Sequence, residues 1–343
     1  MNQTNDEKSV ALRASFKRAV MVIVSLFILA LVLLYIDIIF GDSLYSFTDV
    51  MDVIASRAPS GITFVIGELR LPRALTAFAC GALFGMAGAS FQRLLHNPLA
   101  SPDIIGITEG ANTAAVFGIV VLGISGLELS AFAIVGGLTT AIVVALLTFH
   151  HGFAPQRLVL VGIAIGAMLN AIGSWMLIRA DQWDIQSASR WLTGSLADSD
   201  WTYVIITMIT LAIGLIAVMP LSRQLDMLRL GDDVAAGLGV KVGLSRAAIV
   251  IIAVLMLSIA TSAVGPIAFV SFLAGPIAVR LIHSGSSAIA TSGLVGSCLV
   301  LGSDVIAQHA TGTQFPVGVV TSVIGGPVLV VLMYFSMRKE SQL

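Results

Sequence analysis

Apolar residues run along this chain in blocks of about twenty, separated by short polar breaks. Roughly 20 apolar residues carry a helix across the hydrocarbon of a bilayer. The first block, residues 19–40, follows Lys8, Arg13, Lys17 and Arg18. It is longer than the apolar core of a signal peptide and reads as a retained span. Further blocks lie at 74–95, 105–124, 129–149, 158–178 and 201–221. A longer apolar stretch, 247–282, is broken by Gly265-Pro266 and Gly275-Pro276. Those pairs predict a span to Val264, a short re-entrant or half-length piece, then a short span to Ile282. Blocks at 287–306 and 316–335 bring the expected total to ten.

Between the sixth and seventh blocks lies a polar island, residues 223–246, reading RQLDMLRLGDDVAAGLGVKVGLSR. Asp232 is expected as a helix N-cap, with Asp233 favourable in the first turn. Val234, Ala235 and Leu238 then form an apolar stripe, and Gly239 suits the C-terminal stop. Taken alone, this pattern fits a solvated loop helix and a docking helix equally well.

Ten spans put both termini on one side. With the termini cytoplasmic, the outer side holds Arg57, Arg70, Arg73, Arg179 and Arg190, and the other thirteen of the 18 Lys and Arg residues lie inside. Positive charge favours the cytoplasmic side, so both termini and the island are expected there. Spans two to five then begin outside and spans seven to ten begin inside. Two such groups of four suggest inverted helical repeats, an arrangement common in transporters. Within the second span, Gly81, Gly85 and Gly88 recur every three or four positions, which predicts close helix packing.

Composition agrees. The chain has 343 residues, 57% hydrophobic and 11% charged, where soluble domains carry about 25% charge. The expected class is an all-α polytopic membrane protein, with residues 1–343 forming a single transmembrane domain. A net charge of -1 argues against nucleic acid as a partner. Cys80 and Cys298 sit inside apolar runs and suggest neither a disulfide framework nor a metal site. His150 and His151 lie at a loop edge and are read as interfacial rather than metal-binding. No phosphate-binding GxxxxGK[ST] loop occurs, so this chain is not expected to hydrolyse ATP itself. HExxH and GxSxG are also missing, and an enzyme reading has no residues to support it.

Ionisable groups inside spans are the default functional candidates in lipid. Asp37 and Asp304 fall near the outer ends of spans one and nine, where the interface is within reach. Glu109 falls in the first turn of span three, where a helix N-terminus stabilises an anion. None is expected clearly at mid-bilayer. Asn170 is the best mid-membrane polar group, read either as a helix–helix hydrogen bond or as part of a pathway.

Three segments carry more than composition. Leu69-Arg70-Leu71-Pro72-Arg73 forms a rigid cationic corner at the outer mouth of span two. It reads either as interfacial snorkelling or as a docking point for acidic side chains. Residues 96–106, HNPLASPDIIG, are expected as an extended first cytoplasmic loop in which Asp103 caps span three. The third is the island. Together with WLTGSL at 191–196, GPIAFV at 265–270 and FPVGVVTSVIGGPVLVVLM at 315–333, these motifs resemble the FecCD-type permeases. Those proteins serve ABC importers of iron–siderophores, haem and cobalamin. The resemblance covers roughly residues 66–338, and NPLASPDIIG and WLTGSL look most like the siderophore branch.

The resemblance implies a type II ABC importer permease architecture, in the bacterial cytoplasmic (inner) membrane. It implies a second permease subunit, identical or homologous, a cytoplasmic ABC ATPase dimer, and a soluble or lipid-anchored substrate-binding protein. No cofactor is expected on this chain; ATP and Mg would serve the partner ATPase, and ferric siderophore would be the cargo. By the same resemblance, Leu230, Gly231, Asp232, Asp233, Val234, Ala235, Leu238 and Gly239 match the coupling helix that enters a cleft of the ATPase. Arg70 and Arg73 match arginines that receive carboxylates of the binding protein. The expected pathway residues are Glu109 and Asn112 on span three and Met168 and Asn170 on span five.

Some positions depart from the family pattern. Ile277 stands where histidine often follows Gly275-Pro276, Gln308 where arginine often ends span nine, and Gln314-Phe315 where an acidic–leucine pair often precedes the PVG motif. A haem or cobalamin permease stays open, as does a proton-coupled secondary transporter working through Glu109 or Asp304. A non-transporting membrane scaffold is the third alternative.

Overall fold

The structure is a computed structural model that describes residues 2–41, 43–98, 100–149, 155–282, 288–310 and 314–340. His150 and His151 lie outside the described residues. Among the described residues the chain is helical throughout, with short connections and no strand. The helices are α1 (Asn2–Ile39), α2 (Phe47–Ile54), α3 (Ser60–Leu94), α4 (Ile107–Leu122), α5 (Gly126–Phe149), α6 (Pro155–Ile178) and α7 (Gln182–Thr193). They continue with α8 (Trp201–Leu228), α9 (Asp232–Gly237), α10 (Val242–Val264), α11 (Val270–Ile282), α12 (Ala288–His309) and α13 (Val317–Glu340). Seven are long and apolar enough to cross a membrane, and three shorter apolar segments, in α4, α11 and α13, bring the count to the expected ten.

Most boundaries fall within a few residues of expectation, apart from the start of α1 at Asn2, well before residue 19, and the start of α3. Helix α3 begins at Ser60, well before residue 74, because polar residues such as Glu68, Arg70 and Arg73 lower the local hydropathy without ending the helix. Pro72 supplies no N–H and crowds the carbonyl one turn back. The helix accommodates it by widening over Thr63–Arg70, so that the Leu71 N–H reaches the Ile66 carbonyl five residues back. Trp201 at the start of α8 donates its indole N–H to the Gly67 carbonyl at 3.0 Å and anchors this outer part.

The inner two-thirds of α3 is the hub of the bundle. Gly81, Gly85 and Gly88 press against the backbone of Gly296, Ser292 and Ser271, and a Cβ at any of the three would overlap those atoms. Small residues let backbones approach this closely in lipid, where dispersion contact replaces the hydrophobic drive. The expected close packing is therefore present, mainly against α12.

Two half-length helices distinguish the architecture. Residues 100–106 were expected as an extended cytoplasmic loop, but Ala100 and Ser101 are buried and the segment climbs into the bundle. Gly106, in a left-handed conformation (φ 79°), backs onto Gly162 and Gly166 near the middle of α6. Helix α4 consequently starts near mid-bundle and runs outward. On the other side, residues 265–269 descend from the outer end of α10. Phe269, at φ 66°, packs against Gly325, about 12 Å along α13 from its outer end. Helix α11 starts there and runs inward without a break to Ile282; Pro276 lies inside it, so the half-length piece and the short span expected on either side of Gly275-Pro276 are one short helix. The second helix of each group of four is thus the short one, as inverted repeats require.

Candidate functional site

The island resolves into the last turns of α8, the short helix α9 and the start of α10. Gly231, at φ 102°, makes the turn into α9 and occupies the N-cap position expected for Asp232. Asp232 is instead the first helical residue, and its carboxylate is gripped by both terminal nitrogens of Arg246 on α10 at 2.7 and 2.8 Å. At the other end the Gly239 N–H reaches the Ala236 carbonyl at 2.9 Å and the Val240 N–H reaches Ala235 at 3.0 Å. With Gly239 at φ 88°, this is the glycine stop anticipated from sequence. The stripe divides: Ala235 is fully buried against the bundle, while Leu230, Val234 and Leu238 are more than half exposed or close to it (62%, 50% and 58%). An apolar trio held outward by a bidentate ion pair is a preformed contact surface.

The mid-bundle site was misjudged from sequence. Because α4 starts so deep, Glu109 lies at the centre of the bundle rather than near its inner rim. Its Cγ sits beside Gly166, close to the midpoint of α6. The Asn170 side-chain amide donates to Glu109 Oε2 at 3.3 Å. One turn outward Thr113 donates its hydroxyl to the Leu169 carbonyl at 2.9 Å, and the Asn112 side-chain oxygen has no partner among the described residues. Met168 is 58% exposed, Asn170 is exposed, and Glu109 and Asn112 are half-buried. Glu109 and Asn170 meet where α4 packs on α6, and Asn112 lies one turn along α4, whereas Met168 is about 200° around α6 from Gly166, on its exposed side. A carboxylate at this depth is costly against lipid and belongs against water or another protein surface.

The outer arginines have defined partners. Arg73 makes a bidentate pair with Asp304 at 2.7 and 2.8 Å, with the Asp304 side chain fully buried. Gln308, one turn further along α12, donates to both Asp304 (2.9 Å) and Asp37 of α1 (2.8 Å). Asp37 and Asp304 are thus buried carboxylates joining α1, α3 and α12, not interfacial ones as their sequence position suggested. Arg70 donates to the Ile38 and Ser43 carbonyls and lies over the Tyr45 ring. Both guanidinium groups thus make contacts within the chain. On the same side three distant motifs converge. The Ser195 N–H reaches the Val264 carbonyl at 2.8 Å, and the Gly318 N–H reaches Gly194 at 3.2 Å. A Cβ on Gly194, Gly265 or Gly318 would overlap backbone of the neighbouring motif.

Comparison with known proteins accounts for this convergence of motifs. Residues 28–335 match the FecCD transport family. The chain belongs to that family. It is 36% identical over 294 residues to the ferric enterobactin transport system permease protein FepG of Escherichia coli, covering 85% of this chain and 89% of the relative. It is 33% identical over 329 residues to the Fe(3+)-citrate import system permease protein YfmE of Bacillus subtilis, covering 94% and 98%. A solved inward-facing metal-chelate type ABC transporter superimposes with a TM-score of 0.83 at 26% identity, over 92% of this chain and 99% of that one. This FecCD protein is accordingly a multi-pass permease with the type II ABC importer fold.

Sequence reasoning missed the partners that pin the functional elements. Arg246 was counted only as an inside charge, yet it holds Asp232 at the start of α9. Arg93, at the inner end of α3, pairs with Asp226 at the end of α8 at 3.3 Å. For Arg246 a signal existed: an acid and a base fourteen apart flanking a six-residue helix. For Arg73 and Asp304, separated by 231 positions, single-sequence spacing offers none.

Proposed function

We propose that this chain is one permease half of an ATP-driven importer that carries ferric siderophores across the bacterial cytoplasmic membrane by alternating access. The observation that carries the reading is the coupling segment: Leu230, Val234 and Leu238 face outward on a helix fixed by the Asp232–Arg246 pair. A chain without a phosphate-binding loop that holds such a surface at one end of its bundle needs an external ATPase. Glu109, Asn112, Met168 and Asn170 line the path shared with a second permease, identical or homologous. ATP and Mg act in the ATPase dimer, and this chain holds no cofactor. Both termini and α9 lie in the cytoplasm, and a soluble or lipid-anchored binding protein docks on the opposite face. There, Arg70 and Arg73 brace the outer mouth of α3 from within, and docking contacts come from its exposed rim. The iron-chelate cargo is favoured by the printed activities of the relatives.

The test is uptake in a reconstituted complex of permeases, ATPase and binding protein. Val234→Asp and Leu238→Asp should each release the ATPase on co-purification and abolish uptake; wild-type uptake in both overturns the coupling assignment. Uptake should survive an uncoupler while ATP is maintained. Collapse under those conditions would instead favour proton coupling through Glu109.

A further inference from the structure

Helices α4 and α6 carry only two charged side chains between them, Glu109 and Arg157. Arg157 lies in the first turn of α6, where it reaches the Thr148 carbonyl at 3.4 Å. Asn170 is about 20 Å further along that helix. Among the described residues no cation pairs with Glu109; its partner is the neutral amide of Asn170. The next turn of α4 is uncharged, with Asn112 and Thr113, whose hydroxyl is turned to the Leu169 carbonyl, and Asp103, six positions before Glu109, is held by the hydroxyls of Ser101 and Thr108. Whatever passes this face meets one uncompensated negative charge at mid-bundle. A charge in a water-poor site is screened far less than at a surface, so it sorts passing solutes by sign.

We propose that Glu109 sets the charge preference of the pathway, so that this permease passes neutral or net-cationic ferric chelates, of the hydroxamate kind, and slows polyanionic ones, of the catecholate kind. The chemistry of the chelates makes the distinction large. Three hydroxamates, each singly negative, cancel the charge of ferric iron. Three catecholates, each doubly negative, leave a triple negative charge. The carboxylate repels the second class and not the first, without binding either tightly. This inference rests on the iron-chelate reading above and adds the cargo class to it.

The test uses the complete importer in proteoliposomes, in a Cys80→Ala, Cys298→Ala background. In the first arm Asn112→Cys supplies a thiol one turn along α4 from Glu109. Its labelling rates by a cationic and an anionic methanethiosulfonate reagent are compared. The cation-to-anion rate ratio should fall roughly tenfold when Glu109→Gln is added, and hold with Glu109→Asp. An unreactive thiol, or a ratio indifferent to Glu109→Gln, overturns the proposal. In the second arm uptake of neutral ferrichrome and trianionic ferric enterobactin is measured with Glu109 and with Glu109→Gln. The binding protein's own preference is common to both variants and cancels in their ratio. Glu109→Gln should raise catecholate uptake severalfold relative to hydroxamate uptake; an equal change in both overturns the proposal. If the unmodified importer moves neither chelate while hydrolysing ATP, the iron-chelate reading itself fails. The labelling ratio then decides alone whether Glu109 polarises the path.

Discussion

Helices α3 and α6 are both apolar membrane spans, yet the most apolar stretch of α3 is 89% buried inside the chain and that of α6 is 22% buried. The difference lies in small residues. Gly81, Gly85 and Gly88 bring α3 into backbone contact with α11 and α12. At Gly166 and Gly173 of α6 an added Cβ would meet only ordinary contacts. Helix α3 is the centre of its own chain. Helix α6 lies at the edge of this chain, with Gln156, Asn170 and Ser174 exposed. Apolarity is shared by the two helices and does not separate these roles.

The largest break in that comparison should come from Gly88→Leu. It forces a side chain into the Ser271 backbone and should abolish monodisperse, folded protein in size-exclusion chromatography. Gly166→Ala should leave the elution profile unchanged. Equal behaviour of the two variants would dissolve the distinction between hub and edge.

Next in size is the buried ion pair that fastens the outer part of α3. Arg73→Met strands the Asp304 carboxylate and should cost about 3–5 kcal/mol, read as a large fall in Tm. Arg73→Met with Asp304→Leu should recover much of the loss, because no buried charge is left alone. A double variant as unstable as the single one would show that the pair acts through packing.

On the edge helix the effect should move from stability to transport. Met168→Trp adds bulk to an exposed position on α6. It should leave Tm within about 0.5 kcal/mol of wild type, as surface changes usually do, while cutting uptake severalfold. A large fall in Tm with uptake per folded molecule intact would place Met168 in the core instead.

The smallest effect concerns the outer helix α2, remote from both. Asp49 accepts the Ser46 backbone N–H at 2.7 Å and is bonded to its hydroxyl, and these bonds hold the carboxylate below the usual range. A depressed acid stabilises the fold above its ordinary pKa, and the contribution fades as pH falls through the folded value. Loss of protection in α2 on acidification, followed by amide exchange, should therefore be blunted in Ser46→Ala. An unchanged pH dependence in that variant removes the capping box as its cause.

Much of this was legible beforehand. The ten spans, a short helix after Pro266, the glycine stop at Gly239 and the apolar stripe through Val234 and Leu238 were read from pattern alone. Four features were not. Asp232 and Arg246 are separated by a helix whose turn angle sets whether they meet. Ala235 shares the apolar stripe of Val234, and only the neighbouring helices decide that it turns inward. Residues 100–106 contain a proline and an aspartate, and their polarity hides a climb into the bundle. Arg73 and Asp304 look like interfacial charges because position along a span says nothing about which helix lies alongside.

By itself the sequence determined the number of spans and the family. In lipid every backbone group must be satisfied within its own helix, so hydropathy acts locally and can be read locally. The tertiary structure alone decided that α4 begins at mid-bundle, and with it that Glu109 is a charge at mid-depth of the bundle rather than near its rim. That depth depends on where Gly106 meets Gly166, a contact between segments whose local patterns are unaware of each other.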